Sequence, residues 1–164
     1  MRPKISNATN IIDIIDNTLA MISDSDYQEY LKNGGSLFDF KSIFLKLPRR
    51  SGHTTAAFEL LTSYPKSWII YPKMSMALDA MKDFDILYNN AKIFNDSVKE
   101  IDHLSMHIMD LSLMYDSLRG KNFDIDLLIF DNYSHLQSRK DIELRDKLLH
   151  HPVTLTTKLF VFLQ

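Results

Sequence analysis

The chain has no cysteine. That removes disulfides, thiolate metal sites and cysteine nucleophiles together, and it fits a reducing compartment such as the cytoplasm. It also has no apolar run near the ~20 residues that cross a bilayer. Its first ten residues, "MRPKISNATN", carry no apolar stretch behind their charges. Neither a membrane span nor a signal peptide is therefore expected. Excess positive charge is missing too: 19 Lys and Arg stand against 21 Asp and Glu, for a formal net charge of −2. A dedicated nucleic-acid binder shows a broad basic field, so only a local patch is left for that role. Glycine is scarce, with four in the chain, and Gly34, Gly35 and Gly52 are three of them.

What is present is an ordinary globular mix, 45% hydrophobic and 24% charged over 164 residues, enough for one domain, 1–164, with a full core. Ile11, Ile12, Ile15, Leu19 and Ile22 recur at helical spacing over 9–23, with Thr9 or Asn10 as the cap. "DSDYQEYLKNGG" reads as a short second helix closed by Gly34–Gly35. These two helices form an N-terminal extension, 1–36. From 42 to 164 the pattern alternates. "SIFLKL" (42–47) reads as a buried strand, and "GHTTAAFELLTSY" as a helix that Tyr64-Pro65 stops. "SWIIYP" (67–72) is a second strand, "KMSMALDAMKDF" a helix and "DILYNN" (85–90) a third strand. Apolar residues at 101, 104, 108, 111, 115 and 118 predict an amphipathic helix over 97–118, ended by Gly120. "IDLLIFD" (125–131) is the near-continuous apolar run of a buried parallel strand. "RKDIELRDKLLHH" is a charged helix before Pro152, and "KLFVFLQ" a last strand. Strands alternating with helices need crossover connections. The expected fold is α/β, three layers around a mostly parallel sheet.

The chemistry concentrates in "LKLPRRSGHTTAAFELL", 45–61. The phosphate-gripping pattern G-x-x-x-x-G-K-[ST], set between a strand and a helix, aligns with Leu47-Pro48-Arg49-Arg50-Ser51-Gly52-His53-Thr54. Gly52 lets backbone approach a ligand closely, and the N–H groups of the loop and first helical turn, through Thr55, would point at an anion. Thr54 offers a hydroxyl to Mg²⁺. Arg49 and Arg50 add charge. Two positions depart from the pattern: Leu47 replaces the first glycine and His53 replaces the lysine. Histidine is shorter and, with an ordinary pKa near ~6.5, mostly neutral at pH 7, so charge stabilisation during hydrolysis should suffer more than binding does. The alternative is a plain strand–turn–helix connection.

The partner feature of such a site is an apolar strand ending in an acid, and "DLLIFDNYSHL" supplies one. Asp131 would sit at the carboxyl end of a central strand, where open α/β sheets bind ligands, and could hold Mg²⁺ through water. The following position, where a water-orienting glutamate would stand, is Asn132, which cannot accept a proton at neutral pH. Alone, Asp131 could equally be an acid capping a turn.

Over 42–164 the chain resembles the P-loop NTPase superfamily, on "LPRRSGHTT" for the phosphate loop, "SWIIYPKMSMA" for the next strand and turn, "LLIFDN" for the metal-binding strand and "KLFVFLQ" for the strand after it. Within it, the ATPase half of phage large terminase subunits and superfamily 2 helicases are similar. The resemblance implies a RecA-like core, a phage source, ATP or another NTP and Mg²⁺ as cofactors, and coupling to nucleic acid. The altered lysine and the Asn132 substitution imply weak or absent hydrolysis, and no second lobe or arginine finger is evident.

Other constellations carry less. His103, His107 and Asp110 would share a face of the 97–118 helix, but Leu104 breaks the H-E-x-x-H pattern and surface histidines are the plainer reading. His150-His151 suit a helix C-terminus. Ser51 lacks a nucleophile-elbow context. The methionines at 74, 76, 81, 106, 109 and 114 suit core or a partner surface, and Trp68 suits core. Three functions follow: a nucleotide binder with poor hydrolysis; an interaction protein on an ATPase-like fold, acting on a replication, packaging or defence protein; or a nucleic-acid accessory module using Arg49, Arg50, Lys73 and Lys92.

Overall fold

The computed structural model describes residues 7–23, 29, 32, 41–46, 52–92, 103–119, 124–133, 138–151 and 157–164. Helix α1 spans Asn7–Ile22, strand β1 Ser42–Leu45, helix α2 His53–Ser63 and strand β2 Trp68–Tyr71. Helix α3 spans Met74–Lys92, strand β3 Ile108–Asp110, helix α4 Leu111–Ser117 and strand β4 Leu127–Phe130. Helix α5, Arg139–Leu149, and strand β5, Leu159–Leu163, complete the order.

The five strands form one sheet in the order β1-β5-β4-β2-β3, and every pairing is parallel. The strands are short and apolar because both faces are covered. Alternate residues feed two separate cores. Ile69, Tyr71, Leu127, Ile129, Leu159, Val161 and Leu163 face α1, α2 and α3, whose Ile11, Ile15, Leu60, Leu61 and Phe84 complete that layer. Ile70, Leu128, Phe130, Phe160 and Phe162 face α4, the turn after it and α5, which supply Met114, Leu118, and Leu148 with Leu149 in that order. This is the expected three-layer α/β architecture. It buries β4 and β5 throughout, as near-continuous hydrophobic runs in a parallel sheet require.

Several local expectations change. Helix α1 begins at Asn7, so Thr9 and Asn10 lie inside it rather than at its cap. It packs into the first core layer. The second helix, over 24–35, lies mostly outside the described residues, as do Gly34, Gly35, Gly120 and Pro152. "DILYNN" is not a strand. It continues α3, because Ala77, Ala80, Phe84 and Tyr88 keep one helical stripe against the core. The described part of 97–118 is not one helix. A 3₁₀ turn at Leu104–His107 leads into β3, and α4 follows at once. Asp110 caps α4, its Oδ1 accepting from Leu113 N at 3.1 Å. Strand β1 is not buried: it is an edge strand with Phe44 58% exposed. A four-residue apolar run cannot reveal whether a second neighbour exists.

Helix α2 starts where the chain turns at Gly52, whose φ of 84° is left-handed backbone that glycine adopts without penalty. Its C-terminus closes at Tyr64, whose N–H donates to Leu60 O at 2.8 Å. Helix α5 is capped by Ser138, which accepts from Asp141 N at 3.0 Å.

Candidate functional site

Asp131 is the hub, and the carboxyl edge of the sheet builds it. The register sets Ile70 beside Phe130, so the next residues along the two strands, Tyr71 and Asp131, are neighbours. The Asp131 N–H donates to Ile70 O at 3.1 Å, extending the ladder by one step. The carboxyl group is completely buried. Its Oδ2 accepts from Tyr71 OH at 2.8 Å and from Thr54 Oγ1 at 2.9 Å. Its Oδ1 accepts from Asn132 N at 2.8 Å and from His53 Nδ1 at 2.7 Å. Each oxygen thus receives two donors, which meets the rule that a buried charge must be paired and hydrogen-bonded.

The second half of the site is the start of α2. Gly52 gives no side-chain cap, so the amides of the first helical turn, at His53, Thr54 and Thr55, have no partner within the helix. Ala56 N donates back to Gly52 O at 2.9 Å, the first bond of the helical ladder. His53 and Thr54, consecutive in this turn, reach across to the end of β4, bringing together two segments separated by 78 positions. His53, Thr54, Gly52 and Asp131 of the expected site are therefore joined. Thr55 lies in the same turn and is exposed. Pro48, Arg49, Arg50 and Ser51 lie outside the described residues, as does the rest of the loop, 47–51.

The electrostatics follow from this geometry. The hydrogen bond to Asp131 holds the His53 imidazole above its ordinary pKa, with the carboxylate's charge acting in the same sense and partial burial opposing it. When protonated, the imidazole is paired with the Asp131 carboxylate, Nδ1 to Oδ1 at 2.7 Å. The Tyr71 hydroxyl is pushed far above its usual range, first by burial and then by the Asp131 charge, so it acts only as a neutral donor here.

Thr54 and Asp131 offer a hydroxyl and a carboxylate 2.9 Å apart, hard oxygens that suit Mg²⁺. Among the described residues, no group of three or more His, Asp or Glu forms a metal cage. Here the Thr54 hydroxyl donates to the carboxylate, so a cation at this point would have to take that contact's place. Asn132 takes a left-handed φ of 56°, tolerated by Asn, and this turn aims its own N–H at Asp131.

Tyr71 is the site residue that the sequence patterns missed. The signal was its place at the end of an apolar strand, before Pro72, but its use depends on β2 being the neighbour of β4. The histidine pair at 103 and 107 is split. His107 stacks on Trp68 at 4.2 Å and its ring meets Ser67 O at 3.0 Å, while His103 is exposed. Burial lowers the His107 pKa. Trp68 is half-buried against the second core layer, Met109 and Met114 are core, and Met74 and Met106 are exposed. His150 sits at the end of α5, its ring against Asp146 O at 2.7 Å. Lys73 is exposed just before α3.

No helix among the described residues is long and apolar enough to cross a membrane. No family model, curated protein or solved structure matches the chain.

Proposed function

We propose that the chain binds a nucleoside triphosphate with Mg²⁺ through its phosphates and hydrolyses it weakly or not at all. The observation that carries this reading is the contact of Thr54 with Asp131 at 2.9 Å, across the carboxyl edge of a parallel sheet and beside a glycine-entered helix start. Open α/β sheets bind ligands at that edge, and helix N-termini favour anions. Amides of the first turn of α2 would receive phosphate oxygens. Thr54 and Asp131 would share the cation. The weak hydrolysis follows from His53 and Asn132. The imidazole is tied to Asp131 instead of reaching outward as a lysine would, and a neutral amide at 132 cannot take a proton from an attacking water.

A second reading has its own support. Asp131 has both oxygens filled by the protein itself, so the same network serves a fold that keeps the architecture without the chemistry and acts by contacting another protein. Calorimetry with ATP and Mg²⁺ separates the two. Binding at millimolar or lower concentration that Thr54→Ala weakens supports the nucleotide reading. Absence of binding at millimolar ligand removes it. A His53→Lys chain should bind or turn over nucleotide better if the pocket is otherwise intact.

A further inference from the structure

His53 is held at one ring nitrogen only. Its Nδ1 meets Asp131 Oδ1 at 2.7 Å and lies 3.4 Å from Thr54 Oγ1. An ionised carboxylate can only accept, so Nδ1 carries the proton and Nε2 of the neutral ring keeps its lone pair. Among the described residues, no hydrogen bond reaches Nε2. The anchor itself is fixed. Asp131 is fully buried, and the Tyr71 hydroxyl, the Thr54 hydroxyl and the Asn132 N–H hold its two oxygens. The imidazole keeps 19% of its side-chain surface open. An imidazole oriented at Nδ1 by a buried acid, with its far nitrogen open, is set up either to take a proton or to attack as a nucleophile.

We infer that His53 Nε2 is a phosphoryl acceptor, which takes the terminal phosphoryl group of a nucleoside triphosphate and leaves the chain as a phosphohistidine protein. This rests on the phosphate-binding reading above and adds to it the fate of the γ-phosphate. Two features favour attack by the ring itself over attack by a water that the ring activates. His53 is the first residue of α2, so the imidazole rises from the same turn whose free amides would hold the phosphates. An imidazole also attacks through a lone pair and has no proton to lose. The step therefore runs without the glutamate whose place Asn132 takes. In it the Nε2 lone pair forms a bond to the γ-phosphorus as the bond from that phosphorus to the β,γ-bridging oxygen breaks. The electron pair of the broken bond stays on that oxygen, and nucleoside diphosphate leaves. Nδ1–H remains on Asp131, whose negative charge offsets the positive charge the ring acquires. Transfer to the ring instead of to water fits weak turnover, because the loaded chain reacts no further until its phosphoryl group is passed on.

The test is incubation of the full chain with Mg²⁺ and ATP labelled at the γ-phosphorus, beside ATP labelled at the α-phosphorus. The γ-label should stay with the chain through denaturing electrophoresis and the α-label should not. Intact mass should rise by a single phosphoryl group. The label should be lost in acid and kept in alkali, as a phosphorus–nitrogen bond behaves, and peptide fragmentation in alkali should place it on His53. His53→Gln, whose amide can still donate to Asp131, should abolish the labelling, with circular dichroism to check that it is folded. ATP binding in calorimetry without any label on the wild-type chain overturns the acceptor and leaves the phosphate reading standing. Steady release of free phosphate with His53 unlabelled also overturns it, by making water the acceptor. An acid-stable label, or one that persists in folded His53→Gln, overturns it by placing the phosphoryl group on another residue. Neither binding nor label removes the phosphate reading and the acceptor together.

Discussion

Replacing Asp131 by Asn and by Ala should give very different losses, and the difference tests the network. The carboxylate receives four donors. Two of them, the Thr54 and Tyr71 hydroxyls, meet Oδ2 and can rotate to accept instead. The Asn132 N–H meets Oδ1 and cannot. An asparagine with its oxygen in the Oδ1 position and its NH₂ toward the hydroxyls therefore satisfies every partner. Asp131→Asn forfeits only the charge assistance, about 1–2 kcal/mol from the gap between charged and neutral hydrogen bonds. Asp131→Ala strands the buried Tyr71 hydroxyl and the Asn132 N–H, at about 1–3 kcal/mol each, for roughly 2–6 kcal/mol together. Urea unfolding at fixed pH measures both. The pH dependence adds a sign. The folded pKa of His53 is raised by Asp131, so its stabilisation is complete below the unfolded value near ~6.5 and disappears as pH rises through the folded value. The margin of the wild-type chain over Asp131→Asn should therefore be largest below about pH 6.5 and shrink above it. Equal losses for Asn and Ala, or a margin that grows with rising pH, would refute the geometry.

Two further substitutions probe the frame of the site. Gly52→Ala should cost about 1–2 kcal/mol, all of it from the left-handed backbone, because a Cβ there meets nothing within 4 Å; a much larger loss in thermal unfolding would mean that the turn is closed on that side. Phe58→Ala removes a buried ring set edge-on to Phe84 at 5.3 Å and 89°, and should destabilise by about 3–5 kcal/mol; under 1 kcal/mol would show that α2 and α3 do not share a packed layer.

How much was legible depends on the reach of each signal. The strands ending at Tyr71, Phe130 and Leu163 were readable because a parallel strand covered on both faces must be apolar at every position, as "LLIF" is. The Thr54 and Asp131 positions were readable from strand and helix ends alone. "DILYNN" failed because its apolar residues, taken over six positions, fit either period, and only contact with the core decides. The segment 97–118 failed differently. Leu104, Ile108, Leu111, Tyr115 and Leu118 keep helical spacing by coincidence, each placed by a 3₁₀ turn, a strand, a helix or the turn after it. Tyr71 as a donor to Asp131, and Nδ1 of His53 as its partner, depend on which strands become neighbours, and no local pattern encodes that.

Strand β5 lies between β1 and β4, pairing Ser42 with Phe160 on one side and Phe130 with Phe162 on the other. Neither flanking strand touches the other, so backbone pairing joins the two halves of the site only through β5. Closure must wait for a segment that meets its partner across some hundred residues of chain, a search whose entropy slows the final step. A perturbation confined to 159–163, such as Val161→Pro, would leave both site segments intact in sequence yet scatter them in space. Damage to a wedge with no chemistry of its own would thus read out as loss of the Asp131 network.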